Sequence, residues 1–238
     1  MLDRDLEFLN NCTNEQLKTL VDILVFDKDG KPRISESLST TKSFREYYPN
    51  DLKQLIPGII DEIQRFGGNT LFNALRGHGV SYREILEDVC DKLKVNYNKK
   101  LSVELLEAEL LRKVAVTVIE KMTDEDIKKF DEGLDKRRLL DAIANGNGPA
   151  IMAIVAVLIS QFGQQLGKGV LMVFGRALAP RIVAFANPVL MIGAAVWTAL
   201  DIASPAFRVT VPFTITTAFI RRQMNAGTED DMIKNIFS

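Results

Sequence analysis

The sequence predicts an all-α protein: a multi-helical soluble part followed by an apolar, Gly/Ala-rich helical hairpin part. Three observations carry that expectation. Apolar residues recur at helical spacing, as in Leu55, Ile56, Ile59, Ile60, Ile63 and Phe66, a stripe that must pack on a neighbour. Thr13 with Gln16, and Ser81 with Glu84, have the spacing of capping boxes that open helices. Finally, charge nearly disappears beyond Asn145-Gly146-Asn147-Gly148, leaving only Lys168, Arg176, Arg181, Asp201 and Arg208 between residues 149 and 220.

In chain order, residues 2–11 and 14–26 read as two short helices, the second with Leu17, Leu20, Val21 and Leu24 as its stripe. Asp27-Lys28-Asp29-Gly30-Lys31-Pro32 is a turn. It resembles a calcium loop only superficially, because the full ligand series and the closing glutamate are out of register. Residues 35–41 are polar, a loop or a helix start, and Tyr47-Tyr48-Pro49 ends the element that follows.

Residues 66–88 then gather four of the fifteen glycines and the single histidine. Gly67 and Gly68 can turn left-handed and end the helix before them. Asn69 can cap a short helix carrying Leu71, Phe72 and Leu75, which Gly77-His78-Gly79 breaks in turn. Ser81 opens the next helix, with Tyr82, Ile85, Leu86, Val89 and Leu93 as its apolar face. Gly67, Gly68, Gly77 and Gly79 thus mark two structural corners. Arg76, His78 and Arg83 lie beside them and form a candidate site for an anion or a partner. No strand precedes either glycine cluster and neither dinucleotide nor P-loop spacing is present, so plain helix corners are the competing and simpler reading.

Residues 102–122 form the longest periodic helix of the soluble half. Leu105, Leu106, Ala108, Leu110, Val114 and Val118 are expected to face inward, and Glu104, Glu107, Glu109, Arg112 and Lys113 to face water. Thr123 caps a further acidic helix, and Lys136, Arg137 and Arg138 fall in the next; both charge runs read as solvated faces. The expected division is a soluble helical domain over residues 1–145, opened by a short module over 1–40, and an apolar region over 146–238. After residue 146 there are seven Lys/Arg and four Asp/Glu, a balance of +3, which leaves −4 for residues 1–146 of a chain whose net charge is −1.

Composition excludes several function classes. The near-neutral balance gives no field for nucleic acid. One histidine and two isolated cysteines, Cys12 and Cys90, build none of the usual zinc sites, and no metal or cofactor is expected. No nucleophile-elbow pattern accompanies any serine, and His78 reads as an exposed corner residue rather than a base. The unpaired cysteines point to a reducing compartment, and Met1-Leu2-Asp3-Arg4-Asp5 lacks the apolar run of a secretory signal, so a cytoplasmic location, with association to the inner membrane, is expected.

The block Phe66-Gly67-Gly68-Asn69, with Asn73, Leu75, Arg76, Gly77, Gly79, Tyr82, Glu84, Asp88-Val89 and Lys92-Leu93, resembles the uncharacterised bacterial YaaW-like family, sometimes described as ubiquinol–cytochrome c chaperone-like. The opening Asp5-Leu6-Glu7-Phe8-Leu9, Cys12 and Glu15-Gln16-Leu17 is similar to that family's short N-terminal module. Phe207-Arg208-Val209-Thr210-Val211-Pro212, with Arg221-Arg222, is similar to its C-terminal end. The resemblance implies a mostly helical protein and brings no established catalytic residues.

The sharp hypothesis concerns the apolar region. A spanning helix needs about twenty apolar residues. Residues 150–162 fall short of that, and in residues 182–200 Asn187-Pro188 reads as an N-cap and first-turn proline. Gly163 and Gly167 are a small-xxx-small pair suited to close helix contact. Basic residues flank the hairpin on all sides, so charge gives no orientation. Three states stay open: a two-span hairpin, a sheathed hairpin buried in solution and able to insert or dock, and an ordinary core. The favoured function is a non-enzymatic, membrane-associated accessory or assembly factor, chaperone-like, meeting a membrane surface or bilayer and an unidentified protein partner or a second copy of the chain. The alternatives are a membrane-disrupting stress or defence effector and a soluble helical enzyme acting on an anionic substrate at Arg76 and Arg83.

Overall fold

Side-chain caps set the helix starts. In a computed structural model that describes residues 3–27, 29–68, 80–130, 135–159 and 206–225, Asp3 caps a 3-10 helix over Arg4–Asn11. Thr13 and Gln16 close a reciprocal capping box at the head of α1 (Asn14–Val25). The following turn is held by Asp27, whose Oδ1 accepts from the amides of Asp29 and Lys31, each at 2.9 Å. Thr41 caps α2 (Lys42–Tyr47), and α3 (Ile56–Gly68) carries the stripe expected of it. Ser81 and Glu84 make a second capping box at α4 (Tyr82–Lys92). Ser102 caps α5 (Val103–Lys121); α6 (Asp124–Phe130), α7 (Lys136–Ala144), α8 (Gly148–Ile159) and α9 (Phe207–Asn225) complete the described α-helices. The fold is all-α, with one isolated bridge, Phe26 to Pro32, as the only β pairing among the described residues.

Two turns show how helices end here. At α7 the Gly146 amide bonds Ile143 O and the Asn147 amide bonds Ala142 O, a Schellman closure with Gly146 at φ 78°. Asn147 then turns its side chain forward and accepts from the Ala150 amide, opening α8. Lys94 occupies the same left-handed position after α4, at φ 56°, with its amide on Asp91 O and the Val95 amide on Cys90 O. Gly67 differs from the sequence expectation. It lies inside α3, and the described glycines with positive φ are Gly30 and Gly146. A Cβ at Gly67 would stand 2.6 Å from Ile85 Cγ1 and 2.7 Å from Val80 Cγ2, so this glycine serves the close approach of α3 to α4 rather than a left-handed turn. The helix proposed after Asn69, the corner at Gly77 and Gly79, and the apolar blocks over 170–174 and 182–200 lie outside the described residues.

The core forms around α9. This helix packs on α1, α3, α4, α5 and α8, and its buried Val209, Val211, Phe213, Ile215, Phe219 and Ile220 join one continuous cluster with the stripes of the earlier helices. Each such side chain contributes roughly 1.5–3 kcal/mol by leaving water. Composition changes at residue 145, but packing among the described residues does not divide there, because α8 and α9 fill the same core as α1 to α5. The polar cost of α9 is visible too. Pro212 lacks an amide to give to the helix ladder. The hydroxyls of Thr214, Thr216 and Thr217 are buried without a hydrogen-bond partner among the described residues, at roughly 1–3 kcal/mol each. Apolar packing, not these threonine hydroxyls, holds the middle of the helix in place.

Candidate functional site

Where α4, α5 and α9 meet, three polar side chains are driven together. Glu107 stands in the stripe Val103, Leu110, Val114 and Val118 of α5, at a spacing that forces it inward, and it is 2% exposed. The sequence expectation placed it in water and Leu105 inside; Leu105 is instead 55% exposed. Glu107 is tolerated in the core because partners from both neighbouring helices meet it. Its Oε1 accepts from the Tyr82 hydroxyl at 2.7 Å and its Oε2 from Arg221 Nε at 2.8 Å. Arg221 extends the network to the N-terminal module: its Nη2 donates to Asp5 O, and its guanidinium lies 4.0 Å from the centroid of the Phe8 ring.

Burial governs the electrostatics of this cluster. It pushes the Glu107 carboxyl up from its ordinary range, against the lowering pull of Arg221 and of the hydrogen bonds from Tyr82 and Arg221. Burial, joined by the neighbouring Glu107 charge, holds the Tyr82 phenol well above its usual value. A second link runs alongside: Asp3 Oδ2 accepts from the Tyr82 amide at 2.6 Å and from Gln64 Nε2 at 3.2 Å. That carboxylate sits at the first turn of α4, where the helix dipole favours an anion.

A cleft of about 90 Å³ opens beside the network, lined in part by Glu104, Glu107, Ala108, Arg221, Arg222 and Asn225. Cys12 and Cys90 are buried, and burial pushes each thiol up to about 12, so neither is a ready nucleophile. Among the described residues no cluster of His, Cys, Asp and Glu could hold a metal ion.

Of the residues proposed from sequence, Arg83 is engaged in the fold. Its Nε donates to Glu87 Oε1 at 3.0 Å, Nη1 to Leu101 O at 2.9 Å and Nη2 to Lys99 O at 2.8 Å, which clamps the α4–α5 loop onto α4. Arg76, Gly77, His78 and Gly79 lie outside the described residues. Gly67 and Gly68 form the last turn of α3, beside α4. Glu107 and Arg221 were the residues sequence reasoning missed. The available signal was a lone carboxylate inside the α5 stripe; its counter-charge, 114 residues away, carried no local mark.

These features define a class: an all-helical protein in which a buried carboxylate–guanidinium pair joins α5 to the last described helix, and the same guanidinium holds the N-terminal module at Asp5 and Phe8. The chain belongs to the UPF0174 family. It is 35% identical to a UPF0174 protein of Helicobacter pylori strain J99, over 96% of this chain and 94% of the relative. It is 32% identical to the UPF0174 protein YaaW of Escherichia coli K12, over 94% of this chain and 96% of the relative. Residues 1–34 match the family described as "Domain of unknown function (DUF3944)", which covers the 3-10 helix and α1. No solved structure matches the chain.

Proposed function

We propose that this protein is a non-enzymatic accessory or assembly factor that associates with anionic membranes through residues 160–205. One observation carries the reading: this block is apolar and rich in Gly and Ala, and its charges are Lys168, Arg176 and Arg181 against a single Asp201. An apolar segment with surplus cations suits a surface of anionic lipid, each cation near the surface adding about 1 kcal/mol. No single helix among the described residues is long and apolar enough to cross a membrane. The bent pair α7–α8 meets the hydropathy test, but Ile151, Met152, Ile154 and Val155 of α8 are core residues. The reading therefore rests on residues 160–205.

Trp197, the single tryptophan, falls in this block and reports on it directly. On mixing the full-length protein with phosphatidylcholine/phosphatidylglycerol vesicles, its emission should shift to the blue and the protein should pellet. Phosphatidylcholine alone should give a weaker response, and a Lys168→Glu, Arg176→Glu, Arg181→Glu triple variant should lose much of the binding. Unchanged emission with protein in the supernatant for both vesicle types overturns the proposal. Release of an entrapped dye would replace the accessory role with a membrane-disrupting one.

A further inference from the structure

We propose that the loop over residues 29–35 is a second membrane contact, in which Ile34 enters the headgroup layer of the same anionic bilayer that receives residues 160–205. The inference rests on the membrane reading above and adds to it the orientation of the core on that surface. Two observations carry it: where the loop lies, and how Ile34 is held.

Helices α1 and α9 run antiparallel. Around the start of α1, Cys12 Sγ stands 3.9 Å from Met224 Sδ, and Gln16 Nε2 stands 3.5 Å from Gln223 Oε1, both at the end of α9. The twelve residues of α1 then follow α9 back for about 18 Å, which sets the loop beside the first turns of α9. Side chains agree with that placement. Burial pulls the Arg33 guanidinium down from its ordinary value, Asp27 opposes this, and the charge of Arg208 adds to it. The apolar block ends at residue 205, directly before α9, so loop and block share one end of the molecule. Charge there does not repel anionic lipid. In the loop Lys31 and Arg33 offset Asp27 and Asp29; at the end of α4, where Lys92 Nζ lies 5.7 Å from the Phe207 ring centroid, Lys92 and Lys94 offset Asp88 and Asp91. Arg208 adds a further positive charge.

Ile34 is fully exposed, yet the chain on either side of it is fixed. Before it, the Arg33 amide donates to Val25 O at 2.7 Å and Arg33 Nε to Ile23 O at 3.2 Å. After it, the Ser37 amide and hydroxyl donate to the buried Glu62 carboxylate at 3.2 and 2.8 Å. An apolar tip held outward in this way has lost its backbone freedom before binding. A lipid surface that covers it therefore gains the burial without the ordering cost. The next most exposed large apolar residue among those described, Leu105, stands in the first turn of α5, at the opposite end of the bundle.

The test places an environment-sensitive fluorophore on Ile34→Cys of the full-length protein, the native Cys12 and Cys90 being buried. Lys100→Cys, labelled in the same way, is the control: Lys100 is exposed just ahead of α5, whose start meets the end of α9. With phosphatidylcholine/phosphatidylglycerol vesicles the label at position 34 should shift to the blue and be quenched by a lipid-borne quencher, and the label at position 100 should do neither. Ile34→Asp should keep the parent Tm, since this side chain has no packing to lose, and weaken vesicle binding about tenfold. Protein that pellets with Trp197 shifted while the label at position 34 stays unshifted, or binding unchanged in Ile34→Asp, overturns the contact and leaves the reading of residues 160–205 standing. No pelleting and no Trp197 shift overturns both. A blue shift at position 34 without lipid, with a dimer mass that Ile34→Asp removes, overturns the contact by assigning Ile34 to a second copy of the chain.

Discussion

Glu107 is the residue on which the interior depends. A carboxylate that is 2% exposed persists only while its counter-charge does. Arg221→Met removes that charge and should destabilise the protein by roughly 3–5 kcal/mol in urea unfolding. Adding Glu107→Leu should recover most of the loss, because two apolar side chains then face each other where a lone charge stood. A single Arg221→Met variant as stable as the parent would show that the pair is incidental. The same residue sets a pH dependence. Burial raises the folded-state pKa of Glu107 above its ordinary 4.5, and those of Asp5, Asp22 and Asp88 above 3.8. In the window between the raised and ordinary values the folded state binds more protons than the unfolded one, so stability rises as pH falls through it. We expect Tm to increase as pH is lowered from neutrality toward the ordinary carboxylate range, with Glu107→Gln flattening the slope. A Tm that drops steadily across that range would contradict the assignment.

At the scale of elements, what was legible in the sequence was local. The boxes Thr13/Gln16 and Ser81/Glu84 are closed in the structure because each is settled within four residues. The apolar stripes of α1, α3 and α4 follow the same logic, since their period alone selects the buried face. Glu107 was misplaced because its burial depends on Arg221, which no local pattern announces. Gly67 was legible as a special position but for the wrong cause: space, not backbone sign. Gly67→Val should therefore destabilise by about 1 kcal/mol or more through collision with Ile85 and Val80, and unchanged melting would refute the close approach. Lys94 offers the opposite experiment. It holds the left-handed position that closes α4, a conformation costing a non-glycine residue about 1 kcal/mol. Lys94→Gly should raise stability by about that amount, and a lower Tm would show that the Lys94 side chain contributes more than its backbone strain costs.

For the whole molecule, composition and packing give different divisions. The charge pattern separates residues 1–145 from 146–238, yet α9 lies against α1, α3, α4, α5 and α8. Arg221 binds the 3-10 helix at Asp5 and Phe8, and Cys12 Sγ stands 3.9 Å from Met224 Sδ. The N-terminal module is therefore completed by the far end of the chain, and the apolar block 160–205 is strung between two helices, α8 and α9, that belong to the core. The most direct measurement of this arrangement is equilibrium unfolding of a chain ending at Asn145, followed by far-UV circular dichroism in urea beside the full-length protein. Without α8 and α9 the buried faces of α1, α3, α4 and α5 lose their partner, and the truncated chain should show no cooperative transition or should aggregate. A sharp transition at a midpoint close to that of the full-length protein would contradict the shared core and restore residues 1–145 as a domain in their own right.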